Sequence, residues 1–347
     1  MNKLERIVEI LRGELADGKY PPGSRFPSEY ELVRRFDVCR STANKAVAMF
    51  CSEGLLARGQ RGAGTRVLKK GTRPQKKIVF LGNIGGFATL VLRGVVAAAG
   101  ERGAQVTLLA PRMEDLDLTL NNLVAEGFHS GIVTYGYRLL PDTLPLPVIY
   151  IDEALPEYLP DRHYVVNRNY EGAQQMMRAL WDRGHRNIAI CANTSYLQTH
   201  RFYRVRGFME TLADLSRTDV SNRLYSTVEG TVLEARLLLE KIMERNRDVT
   251  AIATDCDHLA LLLIAAAREL GISQEQLVIT GFGNLLGFDP GADKCVQFPN
   301  VEQNPFLLGA VACNTLLDML EGKIPADRPT MQYVDAVPVN LDKIPRV

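Results

Sequence analysis

Apolar residues in the first stretch of the chain recur at helical spacing. Leu4, Ile7, Val8, Leu11 and Leu15 form one stripe over residues 1–20, which Gly18 and Pro21-Pro22-Gly23 bring to an end. Ser28 followed by Glu31 has the form of a capping box. A short helix is therefore expected to start there and to run through Leu32, Val33 and Phe36 until Asp37-Val38 break the pattern. In the next segment Ala43, Ala46, Val47 and Phe50 fall on one helical face, leaving Ser41, Asn44, Lys45, Ala48 and Ser52 on the other. Leu55-Leu56-Ala57-Arg58 and Thr65-Arg66-Val67-Leu68 read as two strands joined by a glycine-rich hairpin with Arg61 near its tip. Two short helices across a tight turn, the second with a small, polar, basic face, predict a winged helix-turn-helix whose recognition helix enters the major groove.

From residue 78 the pattern changes to short apolar strands alternating with helices. Strands are expected at 78–81, 106–109, 131–134 and 148–151, with helices at 90–99 and 116–125 between them. The rhythm resumes after residue 170, with helices to 182, at 203–213, 233–244 and 259–270, and strands at 187–190, 251–254 and 277–280. This order argues for parallel βαβ units, and two consecutive sets argue for two lobes, an α/β fold overall. Residues 69–77 between head and body are basic and lack apolar periodicity, so they read as a linker.

Charge divides the chain in the same place. The net charge is +1, but residues 1–77 carry 17 Lys/Arg against 8 Asp/Glu, a balance of +9 that leaves −8 for the remainder. A basic head on an acidic body fits an N-terminal domain that meets a polyanion. The six cysteines, at 39, 51, 191, 256, 295 and 313, form no C-x-x-C pair, so neither a structural metal nor a redox motif is indicated and no cofactor is expected. Neither a signal-peptide pattern nor a bilayer-length apolar run is found, which makes the cytoplasm the expected location and a membrane partner unexpected.

The head motifs are specific. Pro27-Ser28-Glu29, Val38-Cys39-Arg40-Ser41-Thr42, Ala46, Glu53-Gly54-Leu55 and Gly62-Ala63-Gly64-Thr65-Arg66-Val67 resemble, in register over residues 4–68, the DNA-binding domain of the GntR family of bacterial transcription regulators. The resemblance implies that Arg40, Ser41, Thr42, Asn44 and Lys45 open the recognition helix against bases and phosphates. It adds Tyr30 from the preceding helix and Arg61-Gly62 from the wing. Cys39 stands where that family usually has Ser or Thr, so a good N-cap gives way to a weak one.

The body resembles the effector-binding module of LacI/GalR regulators, which shares its fold with periplasmic sugar-binding proteins. The residues that carry this are Asn169-Tyr170-Glu171-Gly172-Ala173, Gly184 to Ala189, Arg204-Val205-Arg206-Gly207-Phe208, Asp257-His258-Leu259-Ala260, Gly281-Phe282 and Val301-Glu302-Gln303 through Gly309. The resemblance implies an N-lobe of about 78–163 plus 297–324 and a C-lobe of about 164–296 plus 325–347, hinged by three crossovers. A GntR-type head on a LacI-type body is an architecture of arabinose-responsive repressors.

Ligands of parallel α/β lobes sit beyond the carboxyl ends of strands, which makes Phe87, Tyr135, Asp152 and Asp257 candidates. The resemblance adds Arg204 as an anchor for hydroxyls or a carboxylate, Tyr225 near a stacking position and Gln303 beside a crossover. Phe87 and Tyr225 read equally well as core. The family's usual Asn-Asp pair is Cys256-Asp257 here, and its Gly-Phe-Asp-Asp is Gly281-Phe282-Gly283-Asn284. The acceptor lost at Gly283 argues for an effector other than a plain hexose: a smaller, more acidic or otherwise modified sugar.

The function expected is a homodimeric, operator-binding repressor controlled by a small sugar-like effector. The alternative is an activator or an effector-blind repressor. A sugar-modifying enzyme is disfavoured because phosphate-loop, nucleophile-elbow and clustered metal-ligand motifs are missing, and no catalytic residue is assigned.

Overall fold

The computed structural model describes residues 3–59, 64–68, 76–137, 140–152, 161–194, 201–227, 230–285 and 297–347. Arg61 and Gly62 of the expected wing tip, and 69–75 of the expected linker, lie outside the described residues. The chain forms two compact bodies, the first made of Met1–Lys77 with Gly103–Gln105 and Glu126–His129, the second of the remainder.

The first body holds α1 (Lys3–Ala16), α2 (Glu29–Phe36), α3 (Arg40–Ser52), β1 (Leu56–Arg58) and β2 (Thr65–Val67). The capping box forms: Glu31 N–H donates to Ser28 Oγ at 3.3 Å, and Ser28 N–H donates to Glu31 Oε2 at 2.6 Å. Asp37 ends α2 in the left-handed region at φ 50°, which opens the tight turn into α3. Ala43, Ala46, Val47 and Phe50 are all buried, together with Ile7, Val8, Leu11, Phe26, Leu32, Leu56 and Val67. The apolar stripes of three helices and the hairpin are thus consumed in one small core. β1 and β2 pair antiparallel, Leu56 opposite Val67.

The second body contains two six-stranded sheets. In the first the order is β13-β7-β6-β5-β3-β4, from β3 (Lys77–Gly82), β4 (Gln105–Leu109), β5 (Gly131–Tyr135), β6 (Val148–Ile151), β7 (His163–Asn167) and β13 (Met331–Val334). Helices α4 (Gly86–Glu101), α5 (Leu116–Glu126) and α10 (Pro305–Leu320) belong with it. In the second the order is β14-β12-β11-β10-β8-β9, from β8 (Ile188–Asn193), β9 (Leu224–Thr227), β10 (Ala251–Thr254), β11 (Val278–Gly283), β12 (Asn300–Glu302) and β14 (Val337–Val339). One apolar layer packs α8 (Val232–Arg245) and α9 (Asp257–Glu269) on this sheet, and a second packs α6 (Asn169–Asp182) and α7 (Arg201–Ser216). β13, β7, β6, β5 and β3 run parallel to one another, as do β12, β11, β10, β8 and β9, whereas β14 is antiparallel to β12.

The lobe boundaries differ from those expected. The expected C-lobe includes residues 164–167, yet β7 pairs with β6 in the first sheet. The expected N-lobe includes residues 297–302, yet β12 pairs with β11 in the second. The expected C-lobe resumes at 325, yet β13 pairs with β7 in the first. The chain therefore crosses at 168, 303–304 and 335–336. The cause is non-local: each of these short strands completes a sheet edge supplied by residues far away in sequence, Met331 lying beside Tyr164.

Candidate functional site

The exposed side of α3 is the first candidate. Its N-terminal residue Arg40 lies with its guanidinium carbon 5.0 Å from the Tyr30 ring centroid, and its Nε is 3.5 Å from Glu29 Oε2. Ser41, Asn44 and Lys45 are exposed beside it, and Thr42 is half-buried. Arg58, on β1, donates to Asn44 Oδ1 and lies 3.5 Å from Glu29 Oε1. The pattern of residues missed Arg58, because its place in the group follows from the hairpin folding back beside α3. Cys39 has the extended backbone of an N-cap but makes no side-chain cap bond. Its sulfur lies 3.0 Å from Ser41 Oγ and 3.1 Å from Thr42 Oγ1. The hydroxyls of Ser41 and Thr42, with the Thr42 amide, lower the thiol to about 6.

The second candidate lies where the two lobes exchange strands. Asp152 follows β6 with φ 50° and is buried. Its Oδ1 accepts from Asn167 N–H at 3.1 Å and Asn169 Nδ2 at 3.3 Å, and its Oδ2 accepts from Gln303 Nε2 at 3.4 Å. Asn167 Nδ2 donates to the Gln303 carbonyl at 2.7 Å and to the Val334 carbonyl at 3.4 Å, so one amide touches all three crossings. Burial pushes Asp152 up to about 6, against Arg204 and the donors from Asn167 and Asn169.

Arg204, on α7, is tied to this knot. Its Nε donates to Asn169 Oδ1 at 3.1 Å and its Nη1 to the Asp255 carbonyl at 2.8 Å, while the guanidinium carbon lies 4.3 Å from the Phe282 centroid. Burial lowers it to about 10 with Arg201 acting the same way, and Asp152 and Asp255 oppose. The structure thus brings Asp152, Gln303 and Arg204 together and adds Asn167, Asn169 and Asp255, which the reading of the sequence had not singled out as site residues. Asp255 sits beside the Cys256-Asp257 motif, and a strand-end carboxylate was the signal that could have found it.

Other candidates fall elsewhere. Phe87 and Tyr135 are half-buried and stack on each other in the first lobe, centroids 5.7 Å apart and planes at 28°. Asp257 is turned inward: Leu285 N–H and Asn300 Nδ2 each donate to it at 2.7 Å, so it braces the loop after β11. A Cβ on Gly283 would sit 3.4 Å from Asp257 Oδ2, which places the missing acceptor beside that brace. Tyr225 is buried with Leu238 and Cys191 in the apolar layer under α8 and α9, so its expected stacking role gives way to packing in the core. Among the described residues no group of three or more His, Cys, Asp or Glu could hold a metal ion, and no helix is long and apolar enough to cross a membrane.

Comparison with known proteins finds a match for each of the two domains. Residues 3–67 match the family described as bacterial regulatory proteins, gntR family, and residues 177–337 match the periplasmic binding protein-like domain. The chain is 24% identical over 306 residues to the arabinose metabolism transcriptional repressor of Halalkalibacterium halodurans, covering 81% of this chain and 80% of that protein. It is 24% identical over 342 residues to a repressor of the same name from Geobacillus stearothermophilus, covering 92% and 91%. A LacI family transcriptional regulator from Enterococcus faecium, solved with bound ribose, has the same fold, with a TM-score of 0.61 at 18% identity over 76% of this chain and 97% of that one.

Proposed function

We infer a repressor from a chain that joins a GntR-family helix-turn-helix domain to a periplasmic-binding-protein-like domain. Such a chain is a DNA-binding transcriptional regulator and not an enzyme. In this reading residues 1–68 bind operator DNA in the cytoplasm, 69–77 link, and 78–347 bind a small sugar-like effector whose occupancy changes operator affinity. Relatives named for arabinose metabolism and a ribose-bound structural neighbour favour a pentose. Two copies on a near-palindromic operator are the natural arrangement, because two-fold protein symmetry calls for matching half-sites.

The observation that carries the reading is the open first turn of α3. Arg40, Ser41, Asn44 and Lys45 stay exposed in a domain whose apolar positions are consumed in its own core. Arg40 is assigned to a base edge, Ser41, Thr42 and Lys45 to phosphate, and Tyr30 to holding Arg40. The test is footprinting of the full chain on DNA upstream of its own and neighbouring genes, with and without L-arabinose or D-ribose. Arg40→Ala should cost about 1–3 kcal/mol of operator affinity and relax one base position. Lys45→Ala should weaken all sequences alike and flatten the salt dependence. Protection that no DNA sequence distinguishes would remove the reading.

A further inference from the structure

Asp255 is the buried group that the polar knot leaves unexplained. It follows β10 directly, at the carboxyl end of an inner strand of the second sheet, where ligands of parallel sheets are held. The residue is 0% exposed, yet neither carboxylate oxygen has a hydrogen-bond partner of normal geometry; the Cys256 thiol and the Asn193 amide stand near enough only to lower its pKa a little. Arg201 Nη1 stands 3.7 Å from Oδ2, beyond hydrogen-bond reach, and Arg204 gives its Nη1 to the main-chain carbonyl instead. Burial raises this carboxyl above its ordinary range, and Arg201, then Arg204, the Cys256 thiol and the Asn193 amide, oppose the rise only in part.

Among the described residues, the other two buried carboxylates of the body are supplied with donors. Asp152 accepts from Asn167, Asn169 and Gln303, and Asp257 from Leu285 and Asn300. A buried carboxylate whose nearby donors are this poorly placed is costly to keep, and such a group calls for a partner that arrives from outside. We propose that Asp255 is an effector-binding residue whose oxygens accept hydrogen bonds from adjacent hydroxyls of a neutral polyhydroxy ligand. This rests on the effector reading above and names the chemistry of its site.

Two observations set the ligand class. First, Asp255 needs hydrogens, which hydroxyls provide and a carboxylate or phosphate does not. The buried charges here are Asp152, Asp255 and Asp257 against Arg204, with the half-buried Arg201 beside them, so an anionic ligand would add to an existing excess. Second, the register sets Ala253 beside Thr280, and continuing it brings Asp255 level with Phe282, next to Gly283. Asp255 thus supplies a carboxylate acceptor at the carboxyl end of the strand next to the one that lacks it at Gly283. A more acidic sugar is not needed to account for the loss; the acceptor has moved, and a differently placed pair of hydroxyls follows it.

The test is thermal unfolding and calorimetric titration of the full chain and of Asp255→Asn and Asp255→Ala, with L-arabinose, D-ribose, D-galacturonate and D-glucosamine as probes. The wild-type chain should bind a neutral pentose, and Asp255→Asn should weaken that binding roughly ten- to hundredfold while melting higher than wild type without ligand. The asparagine variant keeps shape and one acceptor, so it reports even if the alanine variant fails to fold. Equal pentose binding by wild type and Asp255→Asn overturns this inference alone, as does tightest binding of the uronate or of the amino sugar. A ligand-free Asp255→Asn that melts lower than wild type makes the carboxylate a structural brace and also overturns it. A wild-type chain that binds none of the four probes removes the effector reading and this inference with it.

Discussion

Single buried charges govern how the body answers to pH. Asp152 is an acid whose folded pKa, about 6, lies above its ordinary value, so folding tightens its hold on the proton. Its contribution to stability is greatest at or below the usual carboxylate range and is lost as pH rises from there through about 6. Asp152→Asn removes that loss. The stability of the variant relative to wild type should climb between about pH 4 and 7, by on the order of 3 kcal/mol, and level off above. Urea unfolding at a series of pH values measures it, and a flat difference would mean that the carboxylate is not strained by its burial. Cys39 shows the opposite shift, in the open. Its thiol is lowered to about 6 by Ser41 first and Thr42 next, whereas burial raises Cys51, Cys191, Cys256 and Cys313. Iodoacetamide at neutral pH should therefore modify Cys39 first among these five, with a rate that falls as pH drops through about 6. Peptide mapping by mass spectrometry checks the order. The adduct stands at the first turn of α3, so operator binding should fall in step with it.

Between elements, α4 packs closely against α10, and two glycines make the approach possible. A Cβ on Gly309 would stand 2.0 Å from the Val91 carbonyl oxygen, and one on Gly94 would stand 1.9 Å from that of Phe306. Backbone cannot yield as a side-chain tip can. Gly309→Ala should therefore cost about 1–3 kcal/mol of stability despite the better helix propensity of alanine. Gly100→Ala, on the same helix α4 with nothing within 4 Å, should instead gain about 0.5–1 kcal/mol. Chemical unfolding of both variants separates packing from propensity. The same contrast between local and distant causes explains which elements could be read beforehand. The capping box at Ser28 and Glu31 and the stripe of Ala43, Ala46, Val47 and Phe50 are local signals, and all of them appear in the structure. β7, β12, β13 and β14 are short edge or near-edge strands defined by what they pair with. Met331 beside Tyr164 and Val339 beside Asn300 are contacts that no local period announces. The polar knot suffered for the same reason: Asp152 and Gln303 could be named one at a time, but Asn167 joins them only once the three crossings are in place.

At the scale of the whole molecule, charge and topology assign different work to different parts. The first 77 residues carry a balance of +9 and the remainder −8, so attraction to phosphate falls on the head. The body offers something else: two sheets that exchange strands three times, with Asn167 touching each crossing. A ligand held by residues of that knot changes the free energy of one lobe arrangement relative to another, and only such a differential interaction can move an equilibrium. If that equilibrium also sets operator affinity, the coupling is reciprocal by necessity. Operator DNA must then weaken an inducing pentose by the same factor by which the pentose weakens operator binding. Titrating the full chain with L-arabinose or D-ribose, alone and with saturating operator, should give dissociation constants that differ at least fivefold, a coupling of about 1 kcal/mol or more. The same factor should return when operator is titrated with and without sugar. A sugar that binds with equal affinity in the presence and absence of operator would leave the two domains thermodynamically separate, however tightly each held its own ligand.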